Sequence, residues 1–263
     1  MHDFDYYKPA RMSDAAALLR RENHKPLAGG MSMLPTLKLR LNRYAGLVDL
    51  GALPGMQGIR REGDTLVIGA MTPHATVAAS AEVQQALPAL AQLAEGIGDP
   101  LVRNRGTLGG SIAHADPGAD YPSAVLGLGA TVVTTQREIA GDAFFTGLFE
   151  TALQAGEIIT AVRFPIPQKA GYAKYRQQAS RFALVGVFVA QTANSVHVAV
   201  TGAAPSVFRF GAAQAALSRR FDPAALDGVA LDPDGLNADI HATAAYRAHC
   251  VVEFTRRAVA AAR

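Results

Sequence analysis

Two glycine-rich stretches carry most of the chemistry this sequence offers. The first is Ala28-Gly29-Gly30-Met31-Ser32, and the second is Val102-Arg103-Asn104-Arg105-Gly106-Thr107-Leu108-Gly109-Gly110-Ser111. Adjacent glycines allow positive φ and bring bare backbone close to a ligand. Successive N–H groups in such a turn converge on one concavity that suits an anion. A hydroxyl residue closes each stretch, able to cap a following helix or to add one more hydrogen bond. Two such turns in one chain suit a ligand with two linked phosphates.

The remaining polar residues point to no acid–base or metal machinery. His114 has no serine or carboxylate at a spacing that would make a triad. Asp116, followed by Pro117 and Gly118, reads as a turn former, while Asp120 leaves a role open. Arg103 and Arg105 flank the second glycine stretch, either to meet an anion or partner surface or to brace the loop through carbonyls. His24, His74, His197, His241 and His249 share no metal-ligand spacing and read as structural. Cys250 is the single cysteine, which excludes an internal disulfide and a four-thiolate iron–sulfur cluster.

The elements that must position the two turns are mixed. The chain has 263 residues, 49% apolar and 18% charged, with a formal charge of +3. That composition is globular, and it admits one large domain or two to three small ones. Its arginines fall in pairs such as Arg60-Arg61 and Arg256-Arg257, with no long basic run of the kind nucleic acid needs. The first residues are acidic and aromatic, and no apolar run reaches membrane-spanning length. A cytoplasmic protein with a reduced thiol is the expectation.

A helix is expected after Ser32, with Leu34, Leu37 and Leu41 at helical spacing. Leu47 to Leu50 and Thr65 to Gly69 read as strands. Thr72-Pro73 reads as a cap with proline at the first helical position, and another helix is expected from Glu82 to Gly96. Strands follow at Ala130 to Thr134 and Ile158 to Phe164, and Pro165-Ile166-Pro167 marks a boundary. Beyond it, Tyr172 to Gln178, Ala183 to Ala190 and Val196 to Val200 read as strands, the middle one buried on both faces. A long helix is expected from Asp239 to Ala262.

The two glycine stretches, taken together, resemble the flavin motifs of a known family. Ala28 to Ser32 followed by Leu34-Pro35 and Lys38-Leu39-Arg40 is similar to the first motif. Val102 to Ser111 with Ala113-His114-Ala115-Asp116-Pro117 is closely similar to the second. Ile68-Gly69-Ala70 with Thr72 and His74, Tyr172 to Lys174, and Tyr246-Arg247 also fit. The chain thus resembles the FAD-binding medium subunit of the carbon monoxide dehydrogenase and xanthine dehydrogenase family of molybdenum hydroxylases, over essentially its whole length. It departs at Met31, where the family often carries histidine, and at Ser111, where many members carry asparagine.

The resemblance implies an α+β protein: two α/β modules forming a PCMH-type FAD-binding fold, plus a C-terminal three-stranded antiparallel sheet with helices. It implies FAD-binding subdomains over residues 1–54 and 55–167 and a C-terminal flavoprotein domain over 168–263. Ala28, Gly29, Gly30, Met31 and Ser32, with Thr107, Leu108, Gly109, Gly110 and Ser111, would hold the pyrophosphate and ribityl parts of FAD, mainly through backbone N–H groups. Asp120 would bond the sugar-alcohol or ribose portion, Lys174 would lie near the isoalloxazine, and Phe182 would cover its face. No catalytic residue and no metal ligand is implied for this chain.

The partners implied are an iron–sulfur small subunit and a molybdenum-cofactor large subunit, in a dimer of heterotrimers with no nucleic acid and no membrane span. The function implied is electron transfer, from the clusters through FAD to NAD, oxygen, a quinone or another acceptor. Two alternatives stay open on the residues alone: a stand-alone FAD-dependent oxidase of the same fold superfamily, and a non-redox dinucleotide-binding module.

Overall fold

A computed structural model describes residues Met1–Arg263. The first module runs β1 (Asp5–Tyr7), α1 (Met12–Leu19), β2 (His24–Leu27), α2 (Met33–Lys38) and β3 (Gly46–Asp49). Its three strands are parallel in the order β1-β3-β2. Parallel neighbours need crossovers, and α1 and the α2 segment supply them. The first glycine turn therefore lies at the carboxyl end of β2, where open α/β sheets present ligand crevices.

The second module contains β4 (Ile59–Glu62), β5 (Thr65–Gly69), α3 (His74–Ala79), α4 (Ala81–Ala86), α5 (Pro88–Glu95), α6 (Pro100–Arg105), α7 (Leu108–His114) and α8 (Tyr121–Gly127). It continues through β6 (Thr131–Thr134), β7 (Glu138–Ala140), α9 (Gly141–Phe144), the hairpin β8 (Phe145–Gly147) and β9 (Glu150–Thr151), and β10 (Ile159–Pro165). Its antiparallel sheet has the order β4-β5-β10-β6-β7.

The third module is an antiparallel sheet of β11 (Lys169–Arg176), β12 (Ala183–Gln191), β13 (Val196–Thr201) and β14 (Phe208–Arg209), with α10 (Gly211–Arg219) and α11 (Ala244–Ala260). The expected three strands are present, and the two-residue β14 extends the edge. Side chains alternate across a strand, and β12 uses both faces. Val185, Val187 and Val189 join the core under α10 and α11. Phe188 and Ala190 join the core of the preceding modules. That double burial explains the nearly unbroken apolar run.

Several local elements differ from expectation for identifiable reasons. The helix expected over Glu82 to Gly96 is two helices, because Leu87 precedes Pro88 and is driven to φ −150°. Pro73 stands at the N-cap of α3, not inside it. Thr72 instead exchanges hydrogen bonds with the Gly58 backbone. Helix α2 stops at Lys38, and Leu41 is 70% exposed. The terminal helix starts at Ala244 because Thr243 caps it, accepting from the Tyr246 N–H at 3.2 Å.

Candidate functional site

The two glycine stretches meet. A Cβ built on Gly29 would lie 2.0 Å from the Arg105 carbonyl oxygen and 2.9 Å from the Gly106 Cα. A Cβ on Gly110 would lie 2.8 Å from Thr107 Oγ1 and 3.3 Å from the Ala28 Cβ. Gly29 is therefore needed for backbone to approach backbone, and Gly110 leaves room for the Thr107 hydroxyl and the Ala28 side chain.

Their chemistry is not equivalent. In the first turn the N–H groups of Ala28, Gly29, Gly30, Met31 and Ser32 find no acceptor within the chain. Gly30 supplies the bend, at φ +74°, where a side chain is strained. Ser32 is at the N-cap of α2, but its hydroxyl makes no capping bond. A row of donors followed by a free hydroxyl is the arrangement an anion needs.

In the second stretch, by contrast, the expected row of free donors is absent. The N–H groups of Leu108 and Gly109 donate to Thr72 and Ala70 carbonyls at 3.1 and 2.7 Å. Those of Gly110 and Ser111 donate to Thr107, at its Oγ1 and its carbonyl respectively. Gly109 and Gly110 form the first turn of α7, capped by Thr107, and neither has positive φ. Gly109 is small for packing: its Cβ would meet Ala70 at 2.6 Å. What this stretch offers a ligand is the unpartnered N–H of Thr107, the half-buried Ser111, and the half-buried, side-chain-free Gly110.

His74 braces this junction. It is 4% exposed, its N–H donates to the Gly106 carbonyl at 3.0 Å, and its ring packs on Tyr121 at 5.3 Å. A Cβ on Gly106 would meet its Nε2 at 2.6 Å. Burial, with the Arg103 charge adding to it, holds its pKa down at about 4, so it is neutral at pH 7. Arg103 braces rather than binds, donating to the Ile97 and Gly98 carbonyls.

A second group of expected residues converges at the far end of α7. Asp120 Oδ1 accepts from the Lys174 Nζ at 2.7 Å and from the Tyr172 hydroxyl at 2.5 Å. The Lys174 and Asp120 side chains are 7% and 4% exposed. Lys174 also donates to the Gly96 carbonyl at 2.9 Å, next to the C-terminus of α5, where a cation is favoured. An ammonium has three donors, so one remains. Asp120 Oδ2 accepts nothing from the protein. Burial pushes the Asp120 carboxyl up from its ordinary value, against the opposing pull of Lys174 and Tyr172. Burial and the Asp120 charge push Tyr172 well up, which keeps it a donor.

Phe182 is 45% exposed and packs its Cβ towards Gly118. The 117–120 loop beneath it is pinned from the third module. Ala183 and Gly202 N–H groups donate to the Gly118 and Pro117 carbonyls, and Thr201 Oγ1 donates to Ala119 at 2.7 Å. Arg247, 3% exposed, in turn donates to the Leu184 and Gly202 carbonyls. Asp116 accepts from the Gly118 N–H and is the turn former expected. Tyr172, Thr201, His74 and Arg247 were not among the expected site residues. Tyr172 falls in the Tyr172 to Lys174 stretch that fits the family pattern, and its period-2 relation to Lys174 on β11 puts both on one face.

A parallel αβ module whose free N–H row abuts a second, helix-capping glycine turn, with a buried Lys–Asp pair beyond it, defines a binding cleft for a long phosphate-bearing cofactor. Residues 2–167 match the family described as the FAD binding domain in molybdopterin dehydrogenase, and the chain belongs to that family. It is 38% identical over 220 residues to the carbon monoxide dehydrogenase medium chain of Hydrogenophaga pseudoflava, covering 78% of this chain and 77% of that one. It is 36% identical to the nicotine 6-hydroxylase medium subunit of Paenarthrobacter nicotinovorans, over 97% of this chain and 95% of the other. A solved carbon monoxide dehydrogenase from Oligotropha carboxidovorans superposes with a TM-score of 0.90 at 32% identity, over 99% of this chain and 97% of that one. FAD is accordingly its cofactor, and the chain is the medium, FAD-binding subunit of an oxidoreductase of the molybdenum hydroxylase class. The free donors and the glycine approach fit that cofactor. No helix is long and apolar enough to cross a membrane.

Proposed function

We propose that this chain is the electron-transfer subunit of its complex, receiving electrons from iron–sulfur clusters of a small partner subunit and passing them from FAD to an external acceptor. A large subunit carrying the molybdenum cofactor would feed those clusters. The observation that carries this reading is the row of unpartnered N–H groups from Ala28 to Ser32 beside Thr107, at the opposite end of α7 from the Lys174–Asp120 pair. Bound FAD supplies a centre that exchanges electrons singly or in pairs.

The residues of this chain bind and orient. Ala28 to Ser32 and the Thr107 N–H hold the pyrophosphate, while Leu108, Gly109 and Gly110 let it approach and Ser111 offers a hydroxyl. Asp120 Oδ2 accepts from a sugar-alcohol or ribose hydroxyl. The remaining Lys174 donor faces the isoalloxazine, where positive charge favours the reduced, anionic form, and Phe182 shields one ring face from water. Seven residues of α7, at about 1.5 Å each, separate the two ends by about 10 Å.

On this reading the chain divides at residues 54 and 167 and belongs to a cytoplasmic dimer of heterotrimers, with NAD, oxygen or a quinone as acceptor. Support comes from the relatives, which are themselves medium chains or subunits of larger enzymes, and from the buried, unpaired Cys250 thiol. The test is co-purification with small and large subunits, followed by a photochemical reductive titration of the complex. Cluster bands that reduce first and flavin bands that bleach after them are the expected result. A flavin that bleaches at the same rate with the small subunit left out contradicts the reading.

A further inference from the structure

A groove of about 520 Å³ opens where the end of β11 meets α11, lined by Tyr175, Arg176, Gln178, Arg181, Phe254 and Arg257. Lys174 also lines it but is committed to Asp120. No residue of this groove belongs to the glycine turns, and Lys174 is the one lining residue it shares with the proposed flavin site.

Three guanidinium groups share this groove, and little neutralises them. Arg176 and Arg181 form no ion pair, and Arg257 pairs only with Glu253 on its own helix, at 2.8 Å. Like charges gathered in one concavity repel each other and concentrate anions there. Two of the three are also fixed in place. Arg181 has φ +64°, and its Nη1 donates to the Gly98 carbonyl at 3.0 Å. Arg257 lies over the Phe254 ring with its Cζ 4.7 Å from the centroid, and its Nε is held by Glu253. Both keep their other N–H donors, in the planar fork that matches a phosphate bidentately. A guanidinium already positioned loses less entropy on binding than a free one.

Beside Gln178, the rest of the groove is walled by the aromatic rings of Tyr175 and Phe254. Tyr175 and Phe254 pack with ring centroids 5.9 Å apart, and Tyr246 closes on Tyr175 edge-on at 6.1 Å. The volume lies in the range of small-molecule sites. An edge strand also uses basic side chains merely to stay soluble. That explanation requires neither the stacking of Arg257 on Phe254 nor the anchoring of Arg181 on a left-handed backbone.

We infer that this groove is a second anion site, one that takes a phosphate-bearing small molecule of the nucleoside diphosphate class. Arg176 and Arg181 grip the phosphates, and the Tyr175–Phe254 wall takes the nucleoside. The test is isothermal titration of the full, FAD-loaded chain with ADP and with inorganic pyrophosphate, at physiological chloride. The expected result is saturable binding of one ADP per chain, tighter than pyrophosphate, weakened by roughly tenfold or more in Arg176→Gln and in Arg181→Gln. Both side chains are exposed, so the variants keep the wild-type melting temperature and flavin spectrum.

The inference is overturned by no saturable binding, by equal binding of ADP, sulfate and chloride, or by affinity that survives both substitutions. Binding seen only after flavin is removed also overturns it, since the ligand is then in the flavin cleft. If the chain retains no flavin, the same titration on the Gly29→Ala variant separates the two sites. A groove ligand still binds there, and a cleft ligand does not.

Discussion

Replacing Gly29 by alanine perturbs the junction on which the flavin site depends, and the structure sets the size of the effect. The new Cβ would stand 2.0 Å from the Arg105 oxygen, whereas contacts under 3.0 Å are essentially never seen. The two turns must therefore part by about 3.0 − 2.0 = 1.0 Å. All three nearest atoms are backbone, so no rotamer change relieves the contact. Overpacking of this kind costs about 1–3 kcal/mol of stability. On the proposed site the larger loss falls on the ligand, because the Ala28–Ser32 donors and the Thr107 N–H would no longer face one pyrophosphate. Each hydrogen bond to a charged group contributes about 1.5 kcal/mol or more, so losing two raises the FAD dissociation constant by about a hundredfold. Flavin-fluorescence quenching on the desalted chain measures this. Gly30→Ala is the control: it strains a φ of +74° but meets only the side chains of Leu34 and Leu27, so it costs about 1 kcal/mol and moves no second turn. Gly29→Ala protein that binds FAD as tightly as wild type refutes the reasoning.

Lys174→Ala leaves the buried Asp120 carboxylate without its cation. A loss of about 3–5 kcal/mol is expected, seen in calorimetry as a melting point lower by about 10 °C, and Asp120→Asn in the same chain restores most of it. Tyr172→Phe removes one donor to Asp120 and costs about 1 kcal/mol, read as a lower urea midpoint with an unchanged slope. His74 is held neutral, with its pKa lowered from 6.5 to about 4. The unfolded chain therefore binds this proton first, and stability present above pH 6.5 is lost as pH falls towards 4. The loss is about 3 kcal/mol. His74→Phe should flatten the urea midpoint across that window, and an unchanged slope with pH contradicts the assignment.

Much of this arrangement was legible in the residues. The glycine pairs at 29–30 and 109–110 announced close approach, and the apolar run of β12 announced a strand buried on both faces. Other parts were not readable locally. Gly109 and Gly110 look like a turn in isolation, yet the cap is Thr107, and Ala70 and Thr72 on another segment take the donors. Helical periodicity runs through Leu87, and only the ring of Pro88 breaks it. Lys174 read as a residue for the flavin, while its nearest charge lies in Asp120, 54 positions earlier. Nothing in a single sequence shows a pairing between a residue of β11 and the N-cap residue of α8. The same holds for Arg247, whose role is to satisfy carbonyls at the ends of β12 and β13.

The most direct measurement is the visible spectrum of the full chain after incubation with excess FAD and desalting. The account predicts one FAD per chain, with bands near roughly 370 and 450 nm that bleach with dithionite, and their loss in Gly29→Ala. A wild-type chain that stays colourless, alone and in complex with its small and large subunits, contradicts it.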